Sequence, residues 1–137
     1  MSLYLKRTEL RIPFFDVDPM GIVWHGNYVK YMEVARCDLF DELNYTYIDM
    51  KNDGYTYPIA KMETKFIEPT TFNQDIIIET SLEELEPAIK MKYTFFDKKT
   101  GKKVFRAETL QIAVDINTRE SKYEAPKRLK DVIKECK

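Results

Sequence analysis

The 137-residue chain is poor in the residues that several common kinds of site require. Its 4 Gly leave little material for a Gly-rich phosphate loop or a Gly-hinged linker. A single His, His25, excludes any metal centre that needs two imidazoles, and any Ser-His-Asp or Cys-His relay would have to run through it. The two Cys, Cys37 and Cys136, form no CxxC pair and no disulfide framework, so a reducing, cytoplasmic setting is expected. Neither charge dominates. The 22 Lys and Arg against 23 Asp and Glu give a net charge of -1, without the basic excess of a nucleic-acid-binding domain. No apolar run is long enough to cross a bilayer, and MSLYLKRTELRI holds no signal-peptide core. Nor does a linker, repeat or low-complexity tract divide the chain, so one domain over residues 1–137 is expected.

What the chain does contain is core material: 44% hydrophobic residues and 13% aromatics. Residues 8–15 alternate as a strand does, with Pro13 marking an edge or a bulge because it cannot donate to a ladder. Residues 16–27 (DVDPMGIVWHGN) read as a loop. From Tyr28 the period becomes helical: Tyr28, Tyr31, Met32, Ala35, Leu39 and Leu43 form one stripe, while Lys30, Glu33, Arg36 and Asp41 lie opposite. Asn27 is the expected N-cap of a helix of about 24 Å. A connector follows over residues 44–53, closed by Gly54. Period-two patterning then predicts strands near 56–68, 74–84, 88–97 and 103–116, with a hairpin turn at DKKTG (97–101) and a short helix after Pro126. One strand, one long helix and four further strands predict an α+β fold, an antiparallel sheet covering a single helix. Its uncovered edges predict a homodimer or homotetramer.

Candidate chemistry concentrates in the loop before the helix, at Asp16, Asp18, Gly21, Val23, His25 and Tyr28. A helix start presents unpaired backbone N–H groups and a partial positive charge, suited to a developing oxyanion. A carboxylate beside it is a nucleophile or a general base, and an imidazole can position substrate or leaving group. Together these groups suit acyl transfer to water. Each also has an ordinary structural reading: Asp18 before Pro19 as a turn starter, Asp16 at a strand end, the glycines as backbone relief, Tyr28 as core.

The run FFDVDPMGIVWHGNYVKYMEVARCDLF closely resembles the signature of hotdog-fold acyl-CoA thioesterases, in the 4-hydroxybenzoyl-CoA thioesterase-like group that includes the Tol-Pal-associated enzymes. The pattern D-x-D-x-x-G-x-V-x-H-x-x-Y is met by Asp16, Asp18, Gly21, Val23, His25 and Tyr28. The resemblance implies a hotdog fold, an antiparallel sheet wrapped round one helix, dimerised with the active site at the subunit interface. It implies hydrolysis of an acyl-CoA thioester, with Asp18 as nucleophile or general base, His25 assisting and Asp16 supporting. A backbone amide of His25 or its neighbour Gly26 would polarise the carbonyl, and Tyr28 would lie against the substrate. Phe14 stands where the Tol-Pal-like branch often carries Tyr, so an aromatic wall replaces a hydroxyl there.

Coenzyme A would enter only as part of the substrate, with no metal and no separate cofactor. Its phosphates call for cations. The candidates are Lys61, Lys65, Lys90, Lys92, Lys98, Lys99, Lys102 and Lys103, with Lys61 first because Lys61-Met62 resembles the Tol-Pal-like branch. Three other hotdog roles remain open at this point. A dehydratase or hydratase would draw on a helix carboxylate such as Glu33, whose spacing to Arg36 suits a surface pair. A non-catalytic binder, or a thioesterase acting on a carrier protein, would use the same groove. Tyr31, Tyr55, Tyr57 and Phe66 are the candidates for shaping an acyl pocket.

Overall fold

The computed structural model describes residues 2–136. Its elements in chain order are β1 (Tyr4–Arg11), α1 (Asn27–Glu42), α2 (Tyr47–Asn52), β2 (Tyr55–Thr56), β3 (Ile59–Phe66), β4 (Asp75–Glu84), β5 (Ile89–Asp97), β6 (Lys103–Gln111), β7 (Ala113–Asp115), β8 (Ser121–Lys122) and α3 (Lys127–Glu135). The main sheet has five antiparallel strands in the order β1-β4-β5-β6-β3, and a smaller sheet has the order β2-β7-β8. The α+β class expected from the patterning is the class observed.

The inner face of the main sheet follows from strict alternation. Ile76, Ile78, Thr80 and Leu82 of β4 are buried while their neighbours are half-buried. Ile89, Met91, Tyr93 and Phe95 are likewise buried on β5, between neighbours that are half-buried or, at Lys92, exposed. α1 lies against this face with Tyr28, Tyr31, Met32, Ala35 and Leu39 buried, as the helical period predicts; Phe40 joins them, and Leu43, the last of the predicted stripe, is buried at the C-cap. Leu39 is fully buried in that stripe. Leu39→Ala should therefore cost about 2–5 kcal/mol in chemical denaturation, and a neutral result would show that this face is not the packed one.

Several expectations need correction. β1 runs over Tyr4–Arg11, not residues 8–15, because Pro13 ends the ladder and Phe14–Asp16 coil into a 3-10 turn. The residues 44–53 connector contains α2, nucleated by a capping box in which Thr46 and Asp49 bond each other's backbone N–H. Pro58 divides the 56–68 segment into β2 and β3. The 103–116 segment likewise divides into β6 and β7, which belong to different sheets. The C-terminal helix, by contrast, follows Pro126 as expected, beginning at Lys127 with Pro126 as its N-cap residue. The N-cap of α1 is Gly26, and Asn27 instead donates its side-chain amide to the Asp16 carbonyl at 2.8 Å. The turn at 97–101 is present, with Gly101 at φ 74° as a left-handed position requires.

Arg36 also departs from its assignment to the polar face. It is only 3% exposed, its guanidinium donates to the Tyr93 hydroxyl at 3.3 Å, and the Tyr47 ring faces it at 6.0 Å. Only its pairing with Glu33 reaches the surface. The buried stripe is thus wider than its apolar members, because Tyr93 of β5 and Tyr47 of α2 receive the cation.

Candidate active site

The loop over residues 16–27 is fixed from both ends. The Asp16 carboxylate, 4% exposed, accepts from Lys30 Nζ at 2.6 Å and from the Tyr31 hydroxyl at 2.7 Å, both one turn into α1. Its carbonyl accepts from Trp24 N–H and from Asn27. On the other side Val23 N–H donates to the Thr70 carbonyl at 2.8 Å. Burial pushes the Asp16 carboxyl up, but Lys30 and the Tyr31 hydroxyl outweigh it and hold the group below the usual carboxylate range. A carboxylate depressed in the folded state stabilises above its unfolded pKa, and that stability drains away as pH falls through the folded value. Thermal unfolding should thus show a loss of stability below about pH 4 that Asp16→Asn reduces. An unchanged acid limb in the variant would remove Asp16 as the anchor.

Asp18 opens a tight turn, as its ordinary reading predicts. Its N–H donates to the Ile22 carbonyl, and its own carbonyl accepts from Gly21 N–H. Gly21 sits at φ 82°, a conformation open to Gly at no steric cost. The carboxylate adds a second function. Oδ1 accepts from Met20 N–H at 2.8 Å and Ile22 N–H at 3.3 Å, while Oδ2 makes no hydrogen bond among the described residues. The half-buried side chain is therefore oriented with one oxygen free.

A cleft of about 280 Å³ opens beside it, lined by Asp18, His25 and Glu68 among apolar walls from Ile22, Val23, Trp24, Tyr28, Phe66, Ile67 and Pro69. The backbone N–H groups of His25 and Gly26, at the start of α1, find no acceptor among the described residues. The exposed His25 ring lies against the Trp24 ring at 4.9 Å. Gly26 has ordinary helical backbone, φ -65°, so its selection is not a matter of φ. The Trp24 ring lies across it, and an added Cβ would collide with the ring carbons. Tyr28 is buried at the floor, donating to or accepting from Thr70 Oγ1 at 2.6 Å and stacked on Phe105 at 4.5 Å.

The structure thus brings Asp18, His25 and Tyr28 to one cleft, with Gly26 at its rim and Asp16 beneath the loop. It leaves others out. Phe14, expected as a wall of the site, is 73% exposed and meets Phe72 edge-on, because the 3-10 turn swings its ring outward. Lys61 stands exposed on β3 and pairs with Glu63 at 3.1 Å. Lys90, Lys92 and Lys98 likewise pair with Glu108, Glu83 and Glu9, and no lysine lines the cleft. Of the four candidate acyl-pocket aromatics only Phe66 does. Tyr31 holds Asp16, Tyr55 belongs to the smaller sheet, and Tyr57 lies just beyond its strand β2. Glu33 pairs with Arg36 away from the cleft, which removes the observation behind a helix-carboxylate dehydratase.

Sequence reasoning passed over Trp24, Ile22, Ile67, Glu68 and Pro69. Trp24 was open to detection as the one Trp, sitting inside the loop motif. The other wall arrives from the β3–β4 connection, which no local pattern ties to the loop.

Residues 12–135 match the sequence profile of the thioesterase-like superfamily. The YbgC acyl-CoA thioesterase of Helicobacter pylori (strain ATCC 700392 / 26695) is 32% identical over 75 residues, 55% of this chain. The match spans little more than half of that relative's own length, 54%. Among solved structures, a DHNA-CoA thioesterase from Staphylococcus aureus superposes with a TM-score of 0.79 at 25% identity, covering 87% of this chain and 80% of the other. A 1,4-dihydroxy-2-naphthoyl-CoA thioesterase from Synechocystis reaches a TM-score of 0.86 at 14% identity, covering 95% and 96%, a likeness of fold. With its antiparallel sheet over one long helix and its motif loop at the start of that helix, this chain is a hotdog-fold member of the thioesterase-like superfamily.

Proposed function

We propose that the protein hydrolyses acyl-CoA thioesters to the free acid and coenzyme A, with the cleft beside Asp18 as its active site. The observation that carries this reading is the meeting, in one apolar cleft, of a carboxylate with a free oxygen and a helix start whose first N–H groups lack acceptors. The thioester carbonyl accepts from the Gly26 or His25 N–H, where the helix dipole favours the negative charge that develops on oxygen. Asp18 Oδ2 either attacks the carbonyl carbon or takes a proton from a water that does so. The tetrahedral adduct collapses with cleavage of the C–S bond, and the thiolate leaves and takes up a proton. In the nucleophilic route water then opens the acyl anhydride on Asp18. His25 positions the thioester, Asp16 holds the loop, and Tyr28 with Phe66 bounds the acyl group. No metal and no separate cofactor takes part.

The active unit is a homo-oligomer. β3 is an edge strand whose other edge is unpaired, and seven of its eight residues are exposed, including Ile59 and Phe66. Pairing with a second copy would satisfy that edge and cover the mouth of the cleft. Lys61, on the same strand, would lie close to coenzyme A phosphates in that assembly, and Phe14 would meet the partner or the substrate from outside. Among the described residues no helix is long and apolar enough to cross a membrane. We place the protein in the cytoplasm, where acyl-CoA is available.

Free-thiol release from short, long and aromatic acyl-CoAs tests this reading. Turnover of at least one class well above its spontaneous hydrolysis is expected, and none on any ester would overturn it.

A further inference from the structure

The mechanism above leaves one titratable group of the cleft without a task, Glu68. The end of β3 is irregular: after Phe66 pairs with Phe105, the N–H groups of Ile67 and Glu68 both donate to the Val104 carbonyl at 3.0 Å. Two residues there oppose one, which is the geometry of a bulge, and bulges re-aim side chains beside functional sites. In consequence the consecutive residues Phe66, Ile67, Glu68 and Pro69 all line the cleft, which strict alternation would forbid. Glu68 is exposed, and its carboxylate has neither an ion-pair partner nor a side-chain hydrogen bond among the described residues. The same lining contains no Lys or Arg. Within one subunit, a ligand in this cleft therefore meets two carboxylates, Asp18 and Glu68, with the start of α1 as the positive pole and no cationic Lys or Arg side chain beside it.

We propose that Glu68 is a specificity-determining residue: it disfavours acyl groups that carry their own carboxylate and leaves the cleft to uncharged ones. Walls of Trp24, Tyr28 and Phe66 lower the local permittivity, so a second negative charge near Glu68 is screened less than in water. Selection works here by repulsion of the wrong ligand, added to apolar attraction for the right one. The inference rests on the cleft being the acyl site, as proposed above.

The test compares hexanoyl-CoA with adipoyl-CoA, equal in chain length and different only in the terminal carboxylate. The wild type should favour hexanoyl-CoA. Glu68→Gln should raise the adipoyl-to-hexanoyl ratio of kcat/KM by about tenfold, and Glu68→Lys by more. Added salt should narrow the wild-type ratio more than that of Glu68→Gln, which keeps only Asp18. An unchanged ratio overturns the proposal, as does an equal gain for both esters, which would place Glu68 beside the coenzyme. The thioethers hexyl-CoA and 5-carboxypentyl-CoA, which cannot be hydrolysed, give the same comparison as a ratio of Kd values. If those ratios shift as expected while neither thioester turns over, the hydrolase reading fails and the role of Glu68 stands.

Discussion

Asp18→Asn should lower kcat for thioester hydrolysis by at least about a hundredfold, the loss expected when a nucleophile or general base is removed. Asn suits the purpose because the existing hydrogen bonds separate the two roles of this side chain. Its carbonyl oxygen can still accept from Met20 and Ile22 N–H, so the turn that Asp18 opens is kept. What disappears is the charge and basicity of the second oxygen. Free-thiol release measures the rate, and a thermal midpoint close to that of the wild type shows that the loop has not collapsed. Activity within about tenfold of wild type would remove Asp18 from the chemistry. His25→Ala should cost less than Asp18→Asn. Among the described residues the exposed imidazole is held only by its contact with Trp24, and it is assigned positioning rather than bond making. A larger loss at His25 would exchange the two roles.

Phe105→Ala should cost about 3–5 kcal/mol of folding stability. Phe105 is fully buried on the inner face of β6. Its ring stacks on Tyr28 at 4.5 Å and meets Phe95 and Phe66 edge-on at 4.8 and 5.1 Å. Removing it opens a cavity and forfeits three aromatic contacts together. For a domain of this size each kcal/mol lowers the midpoint by a few degrees, so a fall of about 10 °C or more is expected in a thermal scan. The same ring supports Tyr28 and Phe66 from behind, and both line the cleft. Phe105→Leu, which keeps most of the volume, should restore much of the stability and leave a smaller rise in KM. A neutral Phe105→Ala would mean that this cluster is not the packed centre of the fold.

The motif loop was legible because its parts act on one another over a few residues. Asp18-Pro19-Met20-Gly21 is a turn by its own chemistry, and the change of period at Tyr28 marks the helix behind it. α2 was legible in principle and passed over: Thr46 and Asp49 are spaced as a capping box, with Asp where Glu or Gln is more usual. Arg36 is misassigned because its charge argues for solvent, while the residues that receive it, Tyr93 on β5 and Tyr47 on α2, lie on other elements than its own helix.

The sequence by itself determined the elements that depend on local period and turn chemistry. These are the buried stripe of α1, the alternation of β4 and β5, the hairpin at Gly101, and the sharing of one loop by Asp18 and His25. Only the tertiary structure decided that β3 pairs with β6 rather than with β4, its neighbour in the chain. With that pairing came the bulge opposite Val104 and the far wall of the cleft, Glu68 included. The physical reason is that a strand's alternation fixes which side chains share a face but not which strand lies alongside. That choice is made by the whole inner face as it packs against α1.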